Sequence, residues 1–247
     1  MLVLLTNDDG AGAEGLLALK QELSKTFPVW VVAPDSEQSA TSHSLTLQRP
    51  LRIKKIADRS YAVDGTPTDA VMLGVHAILK KKPDILVSGI NHGPNMGDDV
   101  SYSGTVAAAM EGTILNIPSI AVSNVKWNPR HLAPGARFVA RLVKFVLKHG
   151  LPEYIYLNVN VPDTKQPITR FKMTRLGKRR YSDVVIEKID PRGRNYYWIG
   201  EQSLIWERKE EDTDFAAIKK GYASITPLHL DMTDYSALEQ IKKWKLK

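Results

Sequence analysis

Cysteine is absent from the 247 residues, which excludes a disulfide framework, thiolate metal centres and a cysteine nucleophile. No apolar run approaches the roughly 20 residues that cross a bilayer, so no membrane partner is expected. Met1 leads directly into an apolar stretch, without the basic segment and cleavable core of an export signal, and a cytoplasmic protein is expected. Several catalytic signatures are also missing. There is no G-x-x-x-x-G-K-[ST] phosphate loop and no G-x-S-x-G nucleophile elbow. The six histidines show no H-E-x-x-H spacing, which argues against a zinc peptidase. Internal repeats and low-complexity tracts are absent too. The balance of 43% hydrophobic and 25% charged residues is that of an ordinary folded chain and argues against disorder. The net charge of +7 (34 basic, 27 acidic) suits an anionic substrate or nucleic acid, and a solvated surface explains it as well.

What is present is a βαβ alternation over the first two thirds. Leu2-Val3-Leu4-Leu5 reads as a central parallel strand covered on both faces, followed by a helix over about 13–26. Strand Val29–Ala33 ends at Pro34-Asp35 and opens a long polar loop over 34–48. Residues 51–56 and 61–63 form a small hairpin, and Thr66-Pro67 starts a helix running to about Leu79. Strand Ile85–Ser88 precedes a second long loop, Gly89 to Ser103, and a helix over 104–114. Strand 117–122, helix 133–149 and strand 154–159 complete the core. Beyond about 165 the character changes. Short β-like segments carry Tyr181, Tyr196, Tyr197, Trp198 and Trp206, then a strand over 222–226 and a Lys-rich helix over 235–246. The expected organisation is a core over 1–165 and, in the same domain, an appended 166–247 region.

Chemistry concentrates in the polar loops that follow strands, at one edge of the sheet. Asp8 and Asp9 are adjacent carboxylates that repel unless a cation or proton separates them. In a regular strand they would face opposite ways, and Gly10 permits the turn that lets them converge. A divalent ion such as Mg²⁺ or Mn²⁺ takes oxygen ligands, which Asp8, Asp9, Ser39 and an asparagine of Asn91-His92-Gly93-Pro94-Asn95 supply. Taken singly, each has a plainer explanation: a solvated turn or helix cap for the aspartates, a loop residue for Ser39, turn formers for Asn91 and Asn95. Ser103 is a good N-cap, and the amides after it form an anion site, although capping alone also accounts for it. His43 and His92 lie in these loops, as substrate contacts or as solvated residues.

The segments Thr6-Asn7-Asp8-Asp9-Gly10, Pro34 to Leu47, Asp64-Gly65-Thr66-Pro67, Ser88 to Asn95 and Tyr102 to Gly112 together resemble the SurE (survival protein E) family. Thr226-Pro227-Leu228 and Asp231 extend the likeness. The resemblance implies an α/β fold with a Rossmann-like open, mostly parallel sheet and helices on both faces. It also implies a protruding β-hairpin and a terminal element exchanged between subunits of a dimer or tetramer. The implied activity is a metal-dependent acid phosphatase acting on nucleoside 5′- and 3′-monophosphates, with short polyphosphate as a further substrate. By position, Asp8, Asp9, Ser39 and Asn95 would hold one Mg²⁺ or Mn²⁺ per subunit. Asn91, Ser103, Gly104 and Thr105 fall in the phosphate-binding region. Ala40 stands where many relatives carry glycine, so its Cβ is expected to affect a close substrate contact.

The expected reaction is attack of a metal-activated water on a phosphate monoester. Asp9 is the candidate to orient or deprotonate the nucleophile, and Asp8 is chiefly a ligand. A water or His92 would protonate the leaving oxygen. The competing possibilities are a nucleotide-binding module without catalysis and nucleic-acid binding through Lys178-Arg179-Arg180, Arg192 and Arg194.

Overall fold

The computed structural model describes residues 1–180, 185–199, 205–206 and 210–244, with backbone alone at 179–180, 199 and 205–206. Tyr181 therefore lies outside the described residues, as does the Trp206 side chain. Strand β1 (Val3–Thr6) is fully buried because its two faces serve two separate cores. The chain continues through α1 (Glu14–Leu23), β2 (Val29–Pro34), the hairpin β3 (Ile53–Ala57) and β4 (Ser60–Val63), and α2 (Pro67–Leu73). Then come β5 (Ile85–His92), α3 (Gly104–Ile114), β6 (Ser119–Asn124), α4 (Leu132–His149) and β7 (Ile155–Val161). The rest comprises β8 (Phe171–Met173), β9 (Arg179–Arg180), β10 (Val185–Ile189), β11 (Asn195–Ile199), β12 (Ile205–Trp206), α5 (Asp214–Lys219), β13 (Ala223–His229) and α6 (Tyr235–Ile241).

Nine strands form one sheet in the order β3-β4-β2-β1-β5-β6-β7-β13-β8. β4 through β7 in that order run parallel, while β3 and β13 lie antiparallel against β4 and β7. β10 and β11 pair separately as the hairpin expected after the core. Helices α1 and α4 cover one face, packing with Val3, Leu5, Val31 and Val87. On the other face, Leu4, Val32, Leu86, Val71 and Ala108 pack together beneath α2 and α3. Connections lead outward from β1 to β2 and then return to β5 on its other side. The strand order therefore reverses between β1 and β5, and a crevice opens at their carboxyl ends.

Several boundaries differ from expectation. The strand expected to stop at Ser88 continues to His92, pairing Asn91 with Ser123 and His92 with Asn124. A bulge between Ser88 and Asn91 absorbs the irregular residues, with Ile90 fully buried, and the ladder resumes beyond it. The following loop is thus shorter than Gly89–Ser103 and contains a 3₁₀ turn, Gly97–Ser101. The helix expected to reach Leu79 ends at Leu73 and widens into a π turn over Gly74–Leu79, where a poor helix former begins the distortion. β6 starts at Ser119 because Pro118 lacks an amide donor. β13 runs to His229 along β7, and α6 ends at Ile241 rather than 246.

The 34–48 loop is tied to the start of α2. Asp69 and Thr66 form a capping box, and Asp69 Oδ1 also accepts the Thr46 N–H at 3.0 Å. The Thr66 hydroxyl donates to the Ser44 carbonyl at 2.8 Å. Asp69→Ala leaves the half-buried Thr46 and Thr66 amides without their acceptor. It is expected to cost about 3 kcal/mol in urea unfolding, with Asp69→Asn recovering part of the loss.

Candidate metal and phosphate site

Asn7 Nδ2 donates to the Gly10 carbonyl at 2.8 Å and closes the turn after β1. Gly10, at φ +100°, takes a backbone shape that other residues rarely adopt. The two aspartates leave this turn in different directions. Asp8 turns toward α3, where its Oδ2 accepts the Thr105 N–H at 3.0 Å and its Oδ1 accepts the Thr105 hydroxyl. Asp9 turns toward β5 and accepts the His92 main-chain N–H at 3.1 Å. α1 is capped at Ala13 with no side-chain hydrogen bond, so neither aspartate serves as its cap.

Burial pushes the Asp8 carboxyl up to about 6; the Thr105 hydrogen bond pulls against it and the charge of Asp9 adds to it. Asp9 is also pushed up to about 6 by burial, with the His92 amide lowering it and Glu37 raising it. Among the described residues no lysine or arginine pairs with either aspartate. The buried Asn7 Oδ1, Thr6 Oγ1 and Ser88 Oγ nearby have no partner there either. Acidic oxygens without a cation, beside neutral oxygens without donors, fit a hard divalent ion.

The remaining expected residues reach the same edge by different means. Gln38 N–H donates to the Asp8 carbonyl at 2.8 Å, which brings Ser39 beside the aspartates, yet its hydroxyl donates to Glu37 at 2.6 Å. Ala40 is exposed and sits at φ +56°, where glycine is favoured, so the Cβ acts on the backbone as well as on space. Asn95 is buried: its amide donates to Ser123 at 2.8 Å, and no hydrogen bond joins it to either aspartate among the described residues. Asn91 donates to the Gly93 carbonyl. His92 Nε2 is buried without a partner, whereas His43 Nε2 lies 2.7 Å from Glu111.

At α3, Ser103 Oγ accepts the Val106 N–H at 3.1 Å, the capping arrangement. With Thr105 N–H on Asp8, the first turn keeps only the Gly104 N–H for an added anion among the described residues. A Cβ on Gly104 would lie 2.9 Å from Asp8 Cβ, so glycine is what lets the helix end meet the carboxylate.

Sequence reasoning missed the residues that support these groups. Asn160 Oδ1 accepts the Asn95 N–H, and both Asn158 and Asn160 donate to its carbonyl, each at 2.9 Å. Two asparagines spaced by two in an apolar strand were the available signal. Asp214 was also missed; it accepts the Gly97 and Gly177 amides at 2.9 Å, and burial raises its carboxyl.

A family model described as "Survival protein SurE" matches residues 3–183. A protein named 5′-nucleotidase SurE from Geotalea uraniireducens is 51% identical over 248 residues, covering all of both chains. One of the same name from Geobacter metallireducens is 51% identical, covering 99% of this chain and 97% of its own. The crystal structure of the SurE protein from Aquifex aeolicus superposes with TM-score 0.88 at 48% identity, covering 98% of each chain.

The raised carboxyls carry a pH signature. Between about pH 4 and 6 the native state holds protons that the unfolded chain has lost, so metal-free stability falls as pH rises. Asp8→Asn removes one such group. Its melting temperature in chelator is therefore expected to gain on the wild type across this window, and excess Mn²⁺ at about pH 7 should reverse the ranking. Calorimetric scans that show a pH-independent ranking would count against the assignment.

Proposed function

This chain belongs to the SurE family, and on that footing we propose that it is a metal-dependent phosphatase hydrolysing nucleoside 5′-monophosphates. The observation that carries it is the pair of adjacent carboxylates, unpaired with lysine or arginine among the described residues, of which Asp8 is buried against a helix N-terminus at the reversal of strand order. Asp8, Asp9, Ser39 and Asn95 would hold Mg²⁺ or Mn²⁺, with Ser39 exchanging its Glu37 contact for the ion. When bound, the ion offsets charge on the phosphoryl oxygens and acidifies a water.

The chain's own groups supply the rest. Gly104 N–H and the α3 dipole face the phosphate, and Asn91 stands on the β5 side of the crevice. Asp9, less enclosed than Asp8, is placed to take a proton from the attacking water. Asp8 keeps its Thr105 bonds and fixes the helix end. Because these contacts address only the phosphate, 3′-monophosphates and short polyphosphate belong to the same proposal. No helix among the described residues is long and apolar enough to cross a membrane, and a cytoplasmic setting is part of the proposal. So is a homo-oligomer: Tyr235, Leu238, Ile241 and Trp244 are exposed along α6 and just beyond it, as are Val185, Ile189 and Trp198 on the hairpin. For the nucleic-acid alternative, Arg194 is already paired with Asp190 at 3.0 Å.

Metal-stripped protein should release phosphate from AMP only after Mg²⁺ or Mn²⁺ is added. The Asp8→Asn/Asp9→Asn double variant should lose about 10³-fold in kcat. Full activity of that variant in chelator would sink the proposal. Gly104→Ala pushes against Asp8 and is expected to lower kcat/KM by about 10²-fold while the fold persists, as circular dichroism would report.

A further inference from the structure

A cavity of about 390 Å³ lies beside α3, outside the carboxylate pair. Val106, Ala107, Met110 and Leu228 give it a largely apolar lining, and the polar Asp98, Ser103, His43 and His229 also face it. It begins where the phosphate-handling groups end. Ser103 immediately precedes Gly104, which lies against Asp8, and the lining then follows α3 to Met110. Seven residues of helix carry that wall about 10 Å from the helix end. Size and chemistry suit a small-molecule pocket: mostly apolar, with few polar groups to orient a ligand.

Glu111 holds in place the imidazole that His43 presents to the cavity. It is buried at 5% exposure, and among the described residues its carboxylate bonds only to His43. A carboxylate only accepts, so His43 Nε2–H donates and Nδ1 is the ring's remaining polar atom. The loop that carries His43 is tied to Ser101 and Tyr102, and Ser101 itself lines the cavity. Ser42 N–H donates to the Tyr102 carbonyl and Ser42 Oγ to the Ser101 carbonyl, both at 3.1 Å. The pocket is therefore formed before any ligand arrives.

We propose that this cavity receives the nucleoside part of the substrate, with His43, positioned by Glu111, engaging the base. The inference rests on the nucleotidase reading and extends it from the phosphate to the leaving group. A largely apolar slot with an imidazole oriented by Glu111 holds any flat heterocycle by stacking and packing, so bases are discriminated weakly. A phosphate ester without a base forfeits those contacts. Glu111 is a positioning residue, acting through the imidazole.

The test compares kcat/KM for AMP with that for ribose 5-phosphate in the metal-loaded protein. Ala107→Leu narrows the cavity and His43→Ala removes the imidazole. Each should lower the AMP to ribose 5-phosphate ratio about tenfold, through KM for AMP rather than kcat. Glu111→Ala should match His43→Ala, and Glu111→Gln, which can still bond the imidazole, should restore most of the ratio. The wild type supplies a check that needs no variant: adenosine should compete with AMP. Turnover with unchanged ratios, equal losses on both substrates, or no competition by adenosine at millimolar levels overturns the inference alone. No turnover of either ester by the wild type overturns the nucleotidase reading and the inference with it.

Discussion

Two adjacent carboxylates where a central strand ends, Asp8 buried and Asp9 half-buried, are the constraint around which this molecule is arranged. Neither Asp8 nor Asp9 gains from burial: desolvation raises both carboxyls to about 6, and Asp8 also feels the charge of Asp9. A fold pays for such a pair only where something compensates. Here compensation is divided between two neighbours, the first turn of α3 for Asp8 and the amide of His92 for Asp9. The divergence of the side chains keeps the two carboxylates on separate donors. Asp8 is met by a helix packed on one face of the sheet and Asp9 by β5 itself, the strand beside β1 where the sheet order reverses, so the tension sits at the crevice that the topology opens there.

That solution limits how a phosphate can be held. A helix N-terminus usually offers several free amides to an anion, but here Thr105 N–H and hydroxyl already serve Asp8 and Val106 N–H serves Ser103. The α3 end therefore acts first as a counter-charge for a protein carboxylate. An anionic ester arriving beside it finds one free amide and a carboxylate that repels it. A bound metal ion would change the sign of the local field, and substrate binding would then be coupled to metal binding.

Much of this was legible in the sequence. The apolar run ending in Asn-Asp-Asp-Gly marked both the central strand and the carboxylates, since hydrophobicity and turn chemistry act over a few residues. The Ser103 cap and the α3 boundaries followed from local propensity. Contacts between distant segments were not legible. The continuation of β5 to His92 depends on a bulge that only pairing with β6 rewards. The direction of Asp8 depends on how closely Gly104 approaches it. Glu111 looked like one more helix former until His43 was brought against it from 68 residues away. Asn158 and Asn160 went unread as polar positions in a core strand, and their partner Asn95 lies on a loop after β5.

The candidate ligands come from two sources of unequal firmness, and the difference follows from their hydrogen bonds. Asn95 is clamped through its amide, its carbonyl and its side chain by Asn160, Asn158 and Ser123, all buried at the ends of β6 and β7. Ser39 is exposed, with its hydroxyl bonded only to neighbouring Glu37 among the described residues. Two left-handed residues, Ala40 and Ser42, follow it. The sheet edge therefore fixes where an ion would sit, and the 34–48 loop supplies the group that has least to give up in reaching it. On that side the Cβ of Ala40 is exposed, and its cost falls on the left-handed backbone. On the α3 side, a methyl at Gly104 would press directly on Asp8. The same small group thus acts on the backbone at Ala40 and would act on a carboxylate at Gly104.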